Sequence, residues 1–132
     1  MSLDAAWREA MRLSELECRR LLEHATFGHL ASTSRGLPVV VPVAIRSEAG
    51  DLLLAPLISG VAVPPAREAV VALSVSNLSV AALGTGRAWS VHCQGTLADA
   101  CVETSPERCR LVPQVLAGWR LARCIDPFLE AG

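Results

Sequence analysis

Three histidines, five cysteines and a short tryptophan-led segment are where this 132-residue sequence could do chemistry. The segment is "WSVHCQG", Trp89 to Gly95. Read as a strand, it puts Trp89, Val91 and Cys93 on one face and Ser90, His92 and Gln94 on the other. His92 and Cys93 therefore point apart and cannot share a metal ion. The polar row Ser90, His92 and Gln94 reads either as a pocket lining or as a solvated or interfacial strand face. His29 reads as a structural imidazole that can stack or hydrogen-bond, and His24 as a cation favoured at a helix end. Spacing assembles neither a Ser-His-Asp set nor a carboxylate pair, so any catalysis would come from a cofactor.

Cys18, Cys93, Cys101, Cys109 and Cys124 have no C-x-x-C spacing. An odd, scattered set reads as reduced, buried thiols of a cytosolic protein. All twelve basic residues are arginine, with no lysine and no tyrosine. A pyridoxal phosphate aldimine and a tyrosine general acid are thereby excluded. Net charge is −1 and no basic run exists, which argues against nucleic acid as a partner. No apolar run reaches the ~18 residues of a membrane span, and Asp4 and Glu9 break any signal-peptide pattern. Hydrophobic residues make up 52% of the chain, enough for one globular domain over residues 1–132.

The elements that must position these groups follow from local pattern. Ser14 and Glu17 form a capping box, predicting a helix over about 15–24. The stretch "DAAWREAMR" could add a turn before it. Strands are expected at Phe27–Thr33, Val39–Ile45, Leu52–Ala55, Glu68–Ser76, Arg87–Gly95 and Thr96–Cys101. Gly95 should mark a bulge or bend. Pro38 and Pro42 put their strand at an edge, or where its open side meets something else. "NLSVAALGTG" reads as a loop. Ser105-Pro106-Glu107 predicts a second helix running to Val112, ended by Pro113. "WRLARCI" would close the sheet. The order gives a mainly β, antiparallel sheet or small barrel.

"ECRRLL", "GHLASTSRGLPVVVPVAI", "GDLLLAP", "AVVAL" and "GRAWSV" stand in this order between residues 14 and 102. Together they resemble the small bacterial pyridoxamine 5'-phosphate oxidase-like, FMN-binding split-barrel proteins. The resemblance implies a six-stranded antiparallel split β-barrel with flanking helices. It also implies a homodimer with FMN, or a deazaflavin coenzyme, at its interface. Pro42, Val43 and Ala44 would pass the flavin ring, and Trp89 and Ser90 would lie near the cofactor or dimer seam. Where the family carries F-R-T and G-S-K for the flavin phosphate, this chain has Leu54-Ala55-Pro56 and Ser59-Gly60-Val61. Only Ser59, the Gly60 backbone and Arg67 remain as phosphate donors. The apolar stretch "APLISGVAVPP" thus resembles a phosphate cradle stripped of charged and hydroxyl side chains. Three functions follow: a flavin-dependent oxidoreductase with a degenerate phosphate site, a non-catalytic dimeric module for another small ligand, and a haem-handling variant using His92 or His29.

Overall fold

The computed structural model describes residues 11–34, 36–58, 70–99 and 108–122. Six antiparallel strands close into a barrel: β1 (Phe27–Ser34), β2 (Leu37–Glu48), β3 (Asp51–Pro56), β4 (Val70–Ser76), β5 (Trp89–Asp99) and β6 (Cys109–Arg120). Round the barrel the order is β1-β2-β3-β6-β5-β4. This is the expected split-barrel class. Strand alternation sends Leu30, Val43, Leu54, Leu73, Val91, Cys93 and Leu111 inward, where they are fully buried.

The first helix, α1 (Glu15–Glu23), forms as its capping box predicts: Ser14 Oγ accepts from the Glu17 N–H at 3.1 Å. The Ser14 backbone N–H, with Arg120 second, holds the Glu17 carboxyl below the usual carboxylate range. Leu22 and fully buried Cys18 turn into the core. They cover β6 where β3 no longer pairs with it, since β3 and β6 meet only from Leu52↔Leu111 to Leu54↔Cys109. Gly118 permits this approach: a Cβ there would sit 2.9 Å from Cys18 Sγ.

Two sequence expectations are corrected. Cys109–Val112 is not the end of a helix but the start of β6, which continues to Arg120. Residues 105–107, the expected helix start, lie outside the described residues, as do residues 4–10 of the expected first turn. Pro113 sits at a register shift: Gln94 pairs with Val115 and Gly95 with Pro113, leaving Gln114 as the extra residue. A bulge accommodates a proline because the ladder is already broken there. The strand that closes the sheet is therefore β6, which includes Trp119 and Arg120 of "WRLARCI". The second described helix is α2 (Val80–Thr85), inside the segment read as a loop. Ser79 caps it by accepting from the Ala82 N–H at 3.0 Å, and Gly86 ends it at φ 71°.

Prolines 38 and 42 do not make β2 an outer edge, because β1 runs along its whole first half. The Ile45 N–H donates to Thr26 O at 2.8 Å, so odd-numbered residues of β2 bond to β1. Even-numbered residues face the other way, and Pro42 O accepts from the Leu57 N–H at 3.1 Å. Both prolines occupy even positions, so the β1–β2 ladder loses no hydrogen bond. β3 reaches only to the Val43↔Pro56 pair. Beyond it the Val40 N–H and carbonyl face a side that no described strand covers.

Gly95 and Gly84 should respond oppositely to alanine. A Cβ at Gly95 would overlap the Val112 carbonyl oxygen, whereas at Gly84 nothing lies within 4 Å. Gly95→Ala is expected to cost more than about 2 kcal/mol and Gly84→Ala to stabilise by about 0.5–1 kcal/mol. Urea denaturation of both variants checks this; a neutral Gly95→Ala would mean the bulge opens freely.

Candidate functional site

The outside of the barrel divides into two faces of opposite chemistry. On one, β2, β3 and the start of β6 carry ions. Arg110 reaches Glu48 at 3.1 Å and Asp51 at 3.3 Å, and Arg46 reaches Glu48 at 3.5 Å. On the other, the strand registers set up three outward rows. The first is Val40, Ala31, Ala72, Gln94 and Val115. The second is Pro42, His29, Ser74, His92 and Ala117. The third holds the pair Ala44 and Phe27, then Ser76, Ser90, Trp119 and Arg12.

No carboxylate stands in these rows, and their one permanent ion is Arg12 at the rim. Phe27 is 64% exposed, Val40 62% and Val115 55%. An outward sheet face normally alternates to charged and polar residues for water. This one has the composition of a covered surface.

The sequence-derived site residues fall on this face unevenly. Pro42, Ala44 and Ser90 point outward, as do His29, His92 and Gln94. Val43 is fully buried in the core, so its side chain can touch nothing outside the barrel. Trp89 packs against the core rather than across the outer face. Its backbone N–H donates to Asn77 Oδ1 at 2.7 Å, while Asn77 Nδ2 donates to Arg87 O at 3.0 Å. Asn77 thus fixes the chain just before β5 enters the sheet. Ser59, Gly60 and Arg67 lie outside the described residues, as does Val61.

Besides Phe27, the outward aromatic residue of these rows is Trp119, which the sequence reading placed only in a closing strand. Its ring meets that of His92 edge-on, with centroids 5.6 Å apart at 72°. His92 Nε2 lies 3.1 Å from Ser90 Oγ. Trp119 shares Ser90's row in the β5–β6 register, a pairing legible only once β6 is recognised as a strand. Among the described residues, no group of three metal-ligating side chains exists. A shallow cleft bordered by Arg19, Glu23, Ser47 and Pro113 holds none of the expected site residues.

The fit to a flavin is split. A flat ring finds an apolar, neutral surface and the backbone of Val40, which no described strand covers. The described part of the apolar stretch "APLISGVAVPP", Ala55–Ile58, offers a phosphate no charged or hydroxyl side chain, and Pro56 has no N–H. Leu57 and Ile58 are 49% and 50% exposed.

Comparison with known proteins agrees with the fold. The family model for pyridoxamine 5'-phosphate oxidase matches residues 14–124. The chain belongs to the pyridoxamine 5'-phosphate oxidase family. Solved structures share its fold at low identity. The FAD binding protein from Mycobacterium smegmatis is 20% identical, with 83% of this chain and 96% of that chain covered at a TM-score of 0.64. A FAD-binding protein from Mesorhizobium loti is 18% identical, with coverage of 81% and 94% and a TM-score of 0.58. The FAD and heme binding protein from Mycobacterium smegmatis is 16% identical, with coverage of 92% and 80% and a TM-score of 0.59. No curated protein matches the sequence. Among the described residues, no helix of this family member is long and apolar enough to cross a membrane.

Burial sets the state of the three described cysteines. It pushes the Cys93 and Cys109 thiols up to about 11, and also raises that of Cys18. At pH 8 a thiol titrating near 11 is thiolate in about one molecule per thousand. Alkylation by iodoacetamide at pH 8, read by peptide mass spectrometry, should be at least about 100-fold slower at Cys93 and Cys109 in the folded chain than in urea. Equal rates would show that these sites open to solvent.

Proposed function

We propose that this chain is a flavin-binding member of its family that works as a homodimer, with the flavin ring at the seam between two copies and a weakened phosphate anchor. The observation that carries the reading is the face over β2, β1, β4, β5 and β6, carboxylate-free among the described residues and contiguous with the side of β2 that no described strand covers. Pro42 and Ala44 on that face, and the Val40 backbone, which no described strand covers, are the groups best placed to meet a ring. Ser90, His92 and Trp119 extend the same surface. The ligand is FMN or a deazaflavin coenzyme, and the bound flavin would supply hydride or electron transfer to a small molecule. The shielded thiols suit a reducing, cytoplasmic setting.

The apolar Ala55–Ile58 segment favours a second reading, a non-catalytic dimeric module for another small, uncharged ligand. Hydrogen bonds to charged groups contribute roughly 1.5–3 kcal/mol each, so losing the family's arginine, threonine and lysine outweighs what backbone groups restore.

Fluorescence titration with riboflavin and with FMN separates these readings. Under the first, both bind, with affinities within about fivefold, because the phosphate adds little. The double change Pro56→Thr and Val61→Lys should then raise FMN affinity at least about tenfold and leave riboflavin unchanged. FMN binding more than about 100-fold tighter than riboflavin would overturn the weakened anchor, placing phosphate donors at Arg67 or on the partner. Binding of neither would overturn the flavin reading and leave the second.

A further inference from the structure

Among the described residues, one side-chain hydroxyl and one imidazole meet on the outer surface: Ser90 Oγ and His92 Nε2, 3.1 Å apart. That is the reach a nucleophile and its base require. With the imidazole proton on Nδ1, Nε2 accepts from the Ser90 O–H. The two residues stand two apart on β5, so both side chains leave the same side of the sheet. The pair is held on two sides. Just upstream, Asn77 Oδ1 takes the Trp89 N–H at 2.7 Å and fixes the chain next to Ser90. On β6, the Trp119 ring meets the His92 ring edge-on, 5.6 Å away at 72°, and limits its swing. Ser90 is half-buried and His92 exposed, so the base keeps access to water.

The surroundings select the chemistry. Cys93, next to His92 in sequence, is fully buried in the core, so the serine is the nucleophile within reach. No described carboxylate stands beside the pair to repel the oxyanion that forms when a hydroxyl adds to a carbonyl. Arg12 follows Trp119 in the row of Ser90, its Cα two strand spacings, roughly 9.6 Å, from that of Ser90. Trp119 and Ala117 offer apolar ground beside the pair for an aromatic ring. No described acid completes a triad, so the pair suits a leaving group that departs without a proton. An aryl ester has one, because it leaves as an aryloxide. We propose that Ser90 and His92 are an acyl-transfer pair for aryl esters, with Trp119 as a positioning residue.

Ser90 Oγ adds to the ester carbonyl carbon while its proton passes to His92 Nε2. The bond from that carbon to the aryl oxygen then breaks. The aryloxide leaves with the electron pair, the acyl group stays on Ser90, and His92 gives its proton to solvent. Water next adds to the acyl carbon as His92 takes one of its protons. The bond to Ser90 Oγ breaks, the carboxylic acid departs, and His92 returns the proton to Ser90. The sum is ester plus water giving acid plus phenol, with no oxidant and no cofactor. All the groups belong to one chain, so the step stands apart from the flavin and homodimer readings. The sequence-derived expectation that catalysis needs a cofactor does not extend to it.

Two probes test this on the whole chain: p-nitrophenyl acetate for rate, and a fluorophosphonate, which bonds irreversibly to an activated serine and loses fluoride, for the site. The unmodified chain should release nitrophenolate at least about 30-fold faster than Ser90→Ala or His92→Gln, within the range a positioned general base contributes. Trp119→Ala should slow release at least about fivefold, and Trp119→Phe should restore it to within about twofold, because the phenyl edge still limits the imidazole. Peptide mass spectrometry should find the phosphonyl group on Ser90, and circular dichroism should find the barrel in each variant. Undiminished release in Ser90→Ala, the mark of His92 acting alone, overturns the pair. So does a label on Ser74, the cross-strand neighbour of His92, or on no serine. Equal rates in Trp119→Ala and the unmodified chain overturn the positioning role. If a variant loses the barrel, the labelled residue in the unmodified chain decides.

Discussion

The segregation of charge between the two outer faces of one small barrel is the constraint on which the rest depends. A six-stranded barrel buries one side of every strand, and the other side must either meet water or be covered. Here the ions gather at β3 and its neighbours, where Arg110 bridges Glu48 and Asp51. The opposite face is left with alanine, valine, serine, histidine and aromatic rings. Exposing such a face costs solubility, and covering it yields hydrophobic stabilisation at roughly 25 cal/mol per Å² of apolar surface. Assembly and ligand binding would then share one surface, so a change to either is felt by both.

Backbone parity links that surface to the interior. Val43 fills the core while Pro42 and Ala44, one residue away, face outward. A slip of one residue in β2 would exchange these roles. The prolines pin the register as well: at even positions they cost β1 nothing, whereas at odd positions each would delete a ladder hydrogen bond. Gly95, opposite the Pro113 bulge, lets β5 keep close to β6 where the ladder shifts.

Most of the barrel was legible in the sequence because its strands alternate strictly, and α1 because its capping box is a local signal. The motif order also gave the family, which the match over residues 14–124 bears out. The start of β6 was misread because Ser105-Pro106-Glu107 is a strong helix signal and Pro113 a familiar helix stop. Neither feature announces a bulge, which exists only in relation to the opposite strand. Helix α2 was missed because six residues show too little periodicity, although its caps Ser79 and Gly86 stood in the sequence. For the site, alternation placed Ser90, His92 and Gln94 outward correctly. It could not show that they share a face with His29 and Trp119, since cross-strand neighbours depend on long-range register. Val43 stands between Pro42 and Ala44 in the motif, but strand parity turns its side chain into the core.

If a second copy covers the carboxylate-free face and completes the ligand site, one charge set into that face must break both assembly and binding. Ala72 lies in the middle of that face, half-buried and pointing outward, so arginine there leaves the core untouched. Sedimentation of Ala72→Arg at about 10 µM, with circular dichroism to confirm the barrel, is the most direct measurement. Leu53→Glu, set between Arg46 and Arg110 on the ionic face, is the control. Ala72→Arg should be a folded monomer with at least about tenfold weaker flavin binding, and the control an unchanged dimer. A dimer of undiminished affinity in Ala72→Arg would contradict this reading.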